Sequence, residues 1–350
     1  MRTDRVALLT YSTKPRGGVV HTLALAEALA ARGVDVTVWS LGRGGDTGFF
    51  RPVDPAVTVR VVALPEIEGE TVGERVLRSI AVLGGAFEGG YDIVHAQDCI
   101  SANAVRVDVR TVHHLDRFTT PQLARCHERA IVDPPAHVCV SDAVATELRD
   151  GWGIGATVIP NGVHAQRFAV AVPARRAAPY VLTVGGIEPR KGSLELLEAF
   201  AAMRTPGVEL VVAGGETVFD HREYRAVWER RAVELGVRPV LLGTVADAEL
   251  PSLVAGAGVF AFPSVKEGFG IAAMEALAAG VPLVISDLPV FRETFSGAAV
   301  FARGPQALAA ALDAALAAPD PRRAAAGRAL AARHTWDAAA RRHLDFYASL

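Results

Sequence analysis

Two glutamates eight residues apart, Glu267 and Glu275, bracket a glycine-rich turn in the segment EGFGIAAMEALAAG. Residues 271–279 are otherwise apolar, which predicts a helix that is buried on every side. A carboxylate buried without partners costs several kcal/mol, so some group must donate hydrogen bonds to Glu275. The vicinal hydroxyls of a ribose offer two donors at the spacing of one carboxylate. A structural ion pair, with Arg292 as the candidate partner, is the alternative.

A basic pair stands at the start of another predicted helix. Arg190 and Lys191 follow the strand-like run YVLTVGG and precede the helical pattern SLELLEAFAAM. Cations at a helix N-terminus oppose the helix dipole, so this placement is unfavourable unless an anion joins them. A diphosphate would supply that anion, bound by the planar arginine fork and the mobile lysine charge. A solvated basic turn is the alternative interpretation.

Glycines precede or open two further predicted helices. Gly17 and Gly18 follow the first strand-like run, where bare backbone N–H groups can approach an anion. A glycine turn that only starts the helix would explain this pair as well. Gly268, Phe269 and Gly270 precede the apolar helix and can direct backbone N–H groups at a sugar or a phosphate.

The elements that must position these residues alternate along the whole chain. Short β-branched runs such as VDVTVWSL and VELVVAGG are separated by helical patterns, which indicates parallel sheets covered on both faces. Residues 167–179 break this alternation and are predicted to be a linker. The 350 residues therefore suggest two α/β domains, and ligands of such sheets bind at the carboxyl ends of the strands.

The composition argues against several classes of function. The chain has 36 basic and 38 acidic residues, so no overall field attracts nucleic acid or an anionic membrane. Cys99, Cys126 and Cys139 lie far apart without a C-x-x-C pair, which suits a reducing cytosol and gives no metal framework. We see no signal peptide and no apolar stretch long enough to span a bilayer, so a cytoplasmic enzyme or binding protein is expected.

Taken together, these segments resemble a known enzyme family. The segments EGFGIAAME, PRKG, the GG loop, TVHH and VIPNGV have the order and spacing of the retaining glycosyltransferases of the GT-B fold, family 4. The resemblance covers nearly the whole chain and implies an α/β protein with two Rossmann-like, doubly wound parallel-sheet domains that face each other across a cleft. It places an acceptor-binding domain at 1–169, a nucleotide-sugar donor domain at 180–333 and a helix at 334–350 that packs back on the first domain.

The resemblance also implies roles for single residues in donor binding. Arg190 and Lys191 would bind the donor diphosphate, with Gly17 and Gly18 closing over the β-phosphate. Glu275 falls on the glutamate that binds the ribose hydroxyls. The contacts to the donor sugar and phosphate fall on Gly268, Phe269, Gly270 and Ile271, and those to the base on the segment Gly243 to Val245.

The same resemblance predicts the reaction. A sugar would move from a nucleotide-diphosphate sugar to an unidentified acceptor by front-face attack, with the leaving phosphate taking the acceptor proton. His113 and Glu267 are the candidate catalytic residues, and His113 would orient or stabilise rather than act as an obligatory base. A satisfied histidine at a strand end is the alternative for His113. No D-x-D motif follows a strand, so no metal and no other cofactor is expected, and the cations would do the work of a metal.

Two positions depart from the family pattern. Gly185-Gly186 stands where many members have Gly-Arg, which leaves more of the phosphate contact to Arg190, and His164 stands where an acidic residue often follows NGV. A GT-B sugar-nucleotide epimerase or phosphorylase and a non-catalytic sugar-nucleotide-binding protein are the rival hypotheses. The donor base and sugar, the acceptor, association with a membrane surface, and the choice between monomer and homodimer stay open.

Overall fold

The computed structural model describes residues 3–116, 118, 120–215 and 221–350. The chain divides into two compact units, of which the first comprises Met1–Gly162 with Trp336–Leu350 and the second Val163–Thr335. Each unit contains one sheet whose strands all pair in parallel within the described ranges. The prediction of two parallel-sheet α/β domains is confirmed.

The first unit contains the longer sheet. Its elements up to residue 158 are β1 (Arg5–Leu9), α1 (Gly17–Ala30), β2 (Asp35–Arg43), β3 (Val57–Leu64), α2 (Val72–Ala86), β4 (Ile93–Ala96), α3 (Cys99–Ala104), β5 (Val109–Val112), α4 (Pro121–Val132), β6 (Ala136–Cys139), α5 (Asp142–Trp152) and β7 (Thr157–Val158). In the described part of the unit the strand order is β3-β2-β1-β4-β5-β6-β7.

Both faces of this first sheet are buried. Val6 and Leu8 of β1 pack in one core with α1, whereas Ala7 and Leu9 pack in a second core with Leu83 of α2. A strand whose two faces are both buried needs apolar residues at successive positions. This is why the run RVALL lacks the alternation of a half-exposed strand.

The second unit repeats the α/β alternation around a shorter sheet. Its elements are α6 (Ala165–Ala169), β8 (Tyr180–Val184), a 3₁₀ turn (Pro189–Lys191), α7 (Ser193–Ala202), β9 (Glu209–Ala213), α8 (Arg222–Glu234), β10 (Val240–Gly243), α9 (Leu250–Ala255), β11 (Val259–Phe262), α10 (Ile271–Ala278), β12 (Leu283–Ser286), α11 (Pro289–Phe295), β13 (Val300–Ala302), α12 (Pro305–Ala317) and α13 (Pro321–Arg333). The strand order among the described residues is β10-β9-β8-β11-β12-β13.

The predicted linker differs from the structure at its beginning. Arg167 and Phe168 lie in helix α6, and the Phe168 side chain is only 1 % exposed. The helix has five residues, which is too short to show a helical period in the sequence. Arg167 therefore belongs to the folded second unit and not to a linker between the two units.

The last helix, α14 (Trp336–Ala348), belongs to the first unit. Its residues Trp336 and Ala340 join the core that contains α1. The Tyr347 hydroxyl lies 2.7 Å from Nδ1 of His95 on β4, so a buried hydrogen bond ties this helix to the sheet. The final residues of the chain thus complete the first core.

No helix in the described ranges is both long enough and apolar enough to cross a membrane.

Buried imidazoles collect between α1, α14 and the sheet of the first unit. The ring centroids of His21 and His113 lie 4.8 Å apart, and those of His21 and His343 lie 6.2 Å apart. Nδ1 of His21 is 2.8 Å from Oδ1 of Asn161. Burial lowers the pKa of His21 to about 3 and that of His343 to about 4. These side chains are therefore neutral in the folded unit at neutral pH.

The buried histidines predict that the first unit loses stability in acid. Between pH 6.5 and about 4 the unfolded chain binds protons that His21 and His343 exclude in the folded unit. The free energy of unfolding should therefore fall as the pH falls through this window. Urea unfolding followed by intrinsic fluorescence should give a lower midpoint at mildly acidic pH than at neutral pH.

The variant His343→Leu lacks one of the two imidazoles that bind a proton in this window only when the chain is unfolded. Its urea midpoint should therefore fall less between neutral and mildly acidic pH than that of the wild type. Equal acid dependence in His343→Leu and wild type would contradict the assignment.

Candidate functional site

The loops that follow β8 and β9 approach each other closely at the carboxyl edge of the second sheet. A Cβ atom on Gly214 would lie 2.1 Å from the carbonyl oxygen of Gly185, a distance that no side chain can occupy. Position 214 therefore needs glycine, and Gly185, with a φ of 146°, has a backbone conformation that favours glycine as well. Ligands of doubly wound sheets bind at this edge.

Four charged side chains meet beside these loops, and we call Glu188, Arg190, Lys191 and Glu267 the charged cluster. Nζ of Lys191 donates to Oε2 of Glu267 at 2.7 Å. Nη1 of Arg190 lies 3.3 Å from the same oxygen, and Nη2 of Arg190 donates to Oε1 of Glu188 at 2.9 Å. The structure thus brings three of the residues predicted from sequence, Arg190, Lys191 and Glu267, into direct contact.

The backbone explains how residues so far apart in sequence meet. Arg190 and Lys191 occupy the 3₁₀ turn, and Gly192 then adopts a left-handed φ of 64° before α7. The backbone N–H of Val265, in the loop after β11, donates to the carbonyl of Arg190 at 2.9 Å. The loops that follow β8 and β11 are therefore joined, and the cations lie beside Glu267.

The electrostatic environment of the charged cluster is partly shielded from water. The side chains of Arg190, Lys191 and Glu267 are 28 %, 20 % and 14 % exposed, respectively. Ion pairs at this depth are screened less than those on an open surface. Because the cations already contact a carboxylate, an anionic ligand must compete with Glu267 for them.

The loop before α10 contributes backbone groups. The N–H of Gly268 lies 3.3 Å from Oε1 of Glu267, and Gly270 adopts a left-handed φ of 100° at the start of the helix. The Phe269 side chain is 3 % exposed and its ring lies 5.7 Å from that of His334. The neighbouring Gly268 and Gly270 are buried as well.

Glu275 lies on the more open face of α10. Ile271, Ala272 and Glu275 are half-buried, whereas most other residues of the helix are fully buried. The expectation of a helix buried on every side was wrong for this face. Desolvation nevertheless raises the pKa of Glu275 to about 8, with a smaller downward effect from Arg167 and an upward one from Asp247.

The alternative ion pair between Glu275 and Arg292 is wrong. Nε of Arg292 instead donates to Oδ1 of Asp287 at 2.7 Å. Within the described residues, no hydrogen bond or ion pair is recorded for the Glu275 carboxyl group. Its carboxyl oxygens therefore have unused hydrogen-bonding capacity for a ligand.

Two residues near Glu275 were missed by the sequence reasoning. The Arg167 guanidinium lies 2.8 Å from Oδ2 of Asp247, and both charges influence the Glu275 carboxyl group. Asp247 comes shortly after the segment Gly243 to Val245, in which Gly243 is exposed and has a φ of 65°. The segment predicted to contact the base is therefore followed directly by a residue whose charge acts on Glu275. No local sequence signal marks this pair, because 80 residues separate its members.

His113 lies in the first unit, directly after β5. The Cδ2 atom of its ring would be 3.6 Å from a Cβ atom on Gly18, so the glycine loop and this histidine are neighbours. An added Cβ atom on Gly17 would meet nothing within 4 Å. Burial lowers the pKa of His113 well below its usual value, with nearby His21 and Arg110 as further causes. A neutral imidazole can orient a hydroxyl group, but it is a weak base here.

Comparison with known families gives matches over both units. A family described as Glycosyltransferase Family 4 matches residues 15–167, and one described as Glycosyl transferases group 1 matches residues 167–332. The D-inositol 3-phosphate glycosyltransferase of Xylanimonas cellulosilytica is 29 % identical over 99 % of this chain and 97 % of its own length. The enzyme of that name from Mycobacterium avium is 30 % identical over 95 % of this chain and 91 % of its own length.

Solved structures show the same architecture at lower sequence identity. Sucrose-phosphate synthase from Thermosynechococcus elongatus has a TM-score of 0.80 and 20 % identity, over 99 % of this chain and 98 % of that one. Anabaena HepE, solved in complex with UDP and glucose, has a TM-score of 0.77 and 20 % identity, over 99 % of both chains. These likenesses confirm the fold class predicted from the sequence.

The charged cluster predicts that Glu267 competes with anions for the two cations. Replacing Glu267 with Gln removes the negative charge, so pyrophosphate should bind roughly three- to tenfold more tightly. Isothermal titration calorimetry with pyrophosphate measures this change. The exposed Glu249 supplies the control, since Glu249→Gln should bind pyrophosphate like wild type. Unchanged or weaker binding in Glu267→Gln would show that the carboxylate does not compete.

Proposed function

Because the chain belongs to the family 4, group 1 glycosyltransferases, we propose that it moves a sugar from a nucleoside diphosphate sugar to an acceptor with retention of anomeric configuration. The observation that carries this proposal is the charged cluster, in which Arg190 and Lys191 share Glu267 at the carboxyl ends of β8 and β11. Two cations at this edge suit a diphosphate, whose leaving charge they would stabilise during transfer.

The diphosphate would exchange partners with Glu267. In the structure this carboxylate accepts from Lys191 at 2.7 Å and lies 3.3 Å from Arg190. A diphosphate carries more negative charge than one carboxylate, so it can take over both cations. Glu267 would then be released to accept hydrogen bonds from the hydroxyls of the donor sugar. Gly17 and Gly18 are proposed to contribute backbone N–H groups to the β-phosphate.

The nucleoside would be bound through Glu275 and the segment Gly243 to Val245. A ribose diol offers two O–H donors, which match the two oxygens of an ionised carboxylate. Burial raises the pKa of Glu275 to about 8, so the group is mostly protonated at neutral pH before the ligand arrives. Donation from the diol favours the charged form, and binding should therefore release a proton.

The proposed chemistry needs no enzymatic nucleophile. The acceptor oxygen attacks C1 of the sugar on the face that the leaving phosphate departs from, and the C1–O bond to the phosphate breaks. The proton of the acceptor hydroxyl passes to the departing phosphate oxygen. His113, held neutral by burial, would orient hydroxyl groups by hydrogen bonding. Metal independence is part of the proposal, because Arg190 and Lys191 supply positive charge where the leaving group develops negative charge.

The names of the relatives indicate which donor and acceptor should be tested first. HepE was solved with UDP and glucose, and the curated relatives are named for D-inositol 3-phosphate. We therefore propose UDP-glucose as the first donor to test and phosphorylated polyols as the first acceptors.

Removing either cation should weaken transfer. Lys191→Ala and Arg190→Ala each lose a charged hydrogen bond worth roughly 1.5–3 kcal/mol, which corresponds to about a 10- to 100-fold loss in kcat/KM. Transfer or hydrolysis of UDP-glucose provides the assay. Arg225→Ala, which removes an exposed arginine paired with Glu229 in the same unit, should keep wild-type kcat/KM. Wild-type turnover in both cation variants would exclude the diphosphate role.

Binding of UDP-glucose should be linked to protons through Glu275. At neutral pH close to one proton should be released on binding, and affinity should rise with pH until about pH 8 and then level off. Calorimetry in two buffers with different ionisation enthalpies measures the released protons. UDP-glucose does not itself titrate in this range, so the proton must come from the protein.

The matched variant for this test is Glu275→Gln. It should release no proton and should bind UDP-glucose roughly tenfold more weakly, because an amide accepts fewer hydrogen bonds than a carboxylate. Equal proton release in Glu275→Gln and wild type would assign the linkage to another group.

A further inference from the structure

Asn161 lies in the segment VIPNGV, to which no role was assigned from the sequence. Its side chain is 4 % exposed, and its Oδ1 atom is 2.8 Å from Nδ1 of His21, which is itself 1 % exposed. The His21 ring in turn lies nearly perpendicular to the ring of His113, with the two centroids 4.8 Å apart. A buried amide of the first unit is therefore connected to the candidate catalytic histidine through one imidazole.

The hydrogen bond to Asn161 fixes which nitrogen of His21 carries the proton. An amide oxygen can only accept, so Nδ1 of His21 donates to it. Burial lowers the pKa of His21 to about 3, so the ring has a single N–H proton at neutral pH. Its Nε2 atom is therefore a bare acceptor, and it is buried without a partner among the described residues. Because an unsatisfied buried acceptor is costly, a neighbouring group should donate to it.

His343 cannot be that donor. Its Nδ1 atom donates to the Ala339 carbonyl at 2.8 Å, and its pKa is lowered to about 4, so its Nε2 atom is bare as well. The Trp336 ring also contacts His21 but makes no hydrogen bond to the bare nitrogen. Of the imidazoles that contact His21 within the described ranges, His113 is therefore the one with a proton to give.

The two ring nitrogens of His113 have different surroundings. Nε2 is buried, has no partner among the described residues and would lie 3.7 Å from a Cβ atom on Gly18. Nδ1 makes no hydrogen bond within the same part of the chain and is not buried in this way, so it is the nitrogen that a ligand can reach. In a neutral imidazole one nitrogen is protonated and the other is bare. The tautomer of His113 therefore decides whether a ligand meets a donor or an acceptor.

We propose that Asn161 and His21 are positioning residues that hold His113 in the Nε2–H tautomer, so that its bare Nδ1 atom accepts a hydrogen bond from a hydroxyl group of the transferred sugar. The Nε2–H group of His113 would donate to Nε2 of His21, directly or through one buried water molecule. This bond satisfies two polar atoms that are otherwise without partners in the described ranges. The opposite tautomer of His113 would leave both of these buried nitrogens bare.

The choice of a sugar hydroxyl rests on the proposed transferase function. The reacting hydroxyl of the acceptor is proposed to give its proton to the leaving phosphate, so it has no proton left to donate to His113. Gly18, the neighbour of His113, is proposed to contact the β-phosphate, to which the transferred sugar is bonded. A hydroxyl group of that sugar is therefore the donor that we assign to Nδ1.

Nitrogen-15 NMR of the full chain, labelled at histidine, measures the tautomers directly. The resonance of a bare ring nitrogen lies well downfield of that of a protonated one, and the resonances of His21 and His113 are assigned by their loss in His21→Gln and His113→Gln. In the wild type at neutral pH, Nδ1 of His21 and Nε2 of His113 should carry the protons. A proton on Nε2 of His21 or on Nδ1 of His113 would overturn the proposal.

The variant Asn161→Leu removes the acceptor that holds the His21 proton at Nδ1. The proton can then move to Nε2 and be donated to His113, so both rings should change tautomer. Asn103→Leu is the matched control, because Asn103 is the other asparagine of the chain, is half-buried in the same unit and donates to two backbone carbonyls. It should keep the wild-type tautomers. Wild-type tautomers in Asn161→Leu would show that this amide does not set them.

Ligand titration tests the contact at Nδ1. UDP-glucose should shift the Nδ1 resonance of His113 upfield, because a hydroxyl group then donates to it. UDP should leave it unshifted, because UDP brings no sugar hydroxyl to that place. Equal shifts with the two ligands, or no shift at saturating UDP-glucose, would refute the assigned contact.

Kinetics separate positioning from a merely structural role of Asn161. The kcat/KM for UDP-glucose should fall about two- to tenfold in Asn161→Leu, because His113 then presents an N–H group in place of its acceptor. Added to His113→Ala, the same substitution should cause no further loss, whereas independent damage would multiply the two losses and overturn the proposal. If the wild type neither binds nor turns over UDP-glucose, the proposed function fails, and the tautomers measured without ligand still decide the roles of Asn161 and His21.

Discussion

The positive charges of Arg190 and Lys191 at the strand ends of the second sheet require an anion, and Glu267 supplies it. The joined loops after β8 and β11 hold these groups together at 2.7 to 3.3 Å. The Glu267 carboxylate therefore contacts the same two cations to which we assign the phosphate. Binding then becomes an exchange of one anion for another, which favours ligands that carry more than one negative charge.

In each unit, desolvation favours the uncharged form of a titratable side chain. It raises the pKa of Glu275 and lowers that of His113, so both side chains are mostly uncharged at neutral pH. Glu275 can be ionised by a ligand that donates two hydrogen bonds, because such a ligand replaces the lost water. His113 has no neighbouring carboxylate among the causes of its shift, and its neighbours His21 and Arg110 oppose protonation. We therefore propose that His113 orients hydroxyl groups.

The predictions from sequence succeeded where a signal is local. Apolar runs with regular helices between them identified both sheets, and the contact of Arg190 and Lys191 with Glu267 involves residues chosen from their motifs alone. They failed where packing decides. The last three residues of helix α6 were assigned to a linker, although Phe168 among them is buried. One side of α10 is more open than its composition suggests.

The sequence by itself determined the fold class, the family and the residue types of the site, because strand and helix periods and motif spacings are properties of short segments. Only the tertiary structure decided which charges are paired. It paired Arg167 with Asp247 across 80 residues, and it paired Arg292 with Asp287 rather than with Glu275. Ion pairs depend on distances and burial in space, and neither is encoded by the separation of residues along the chain.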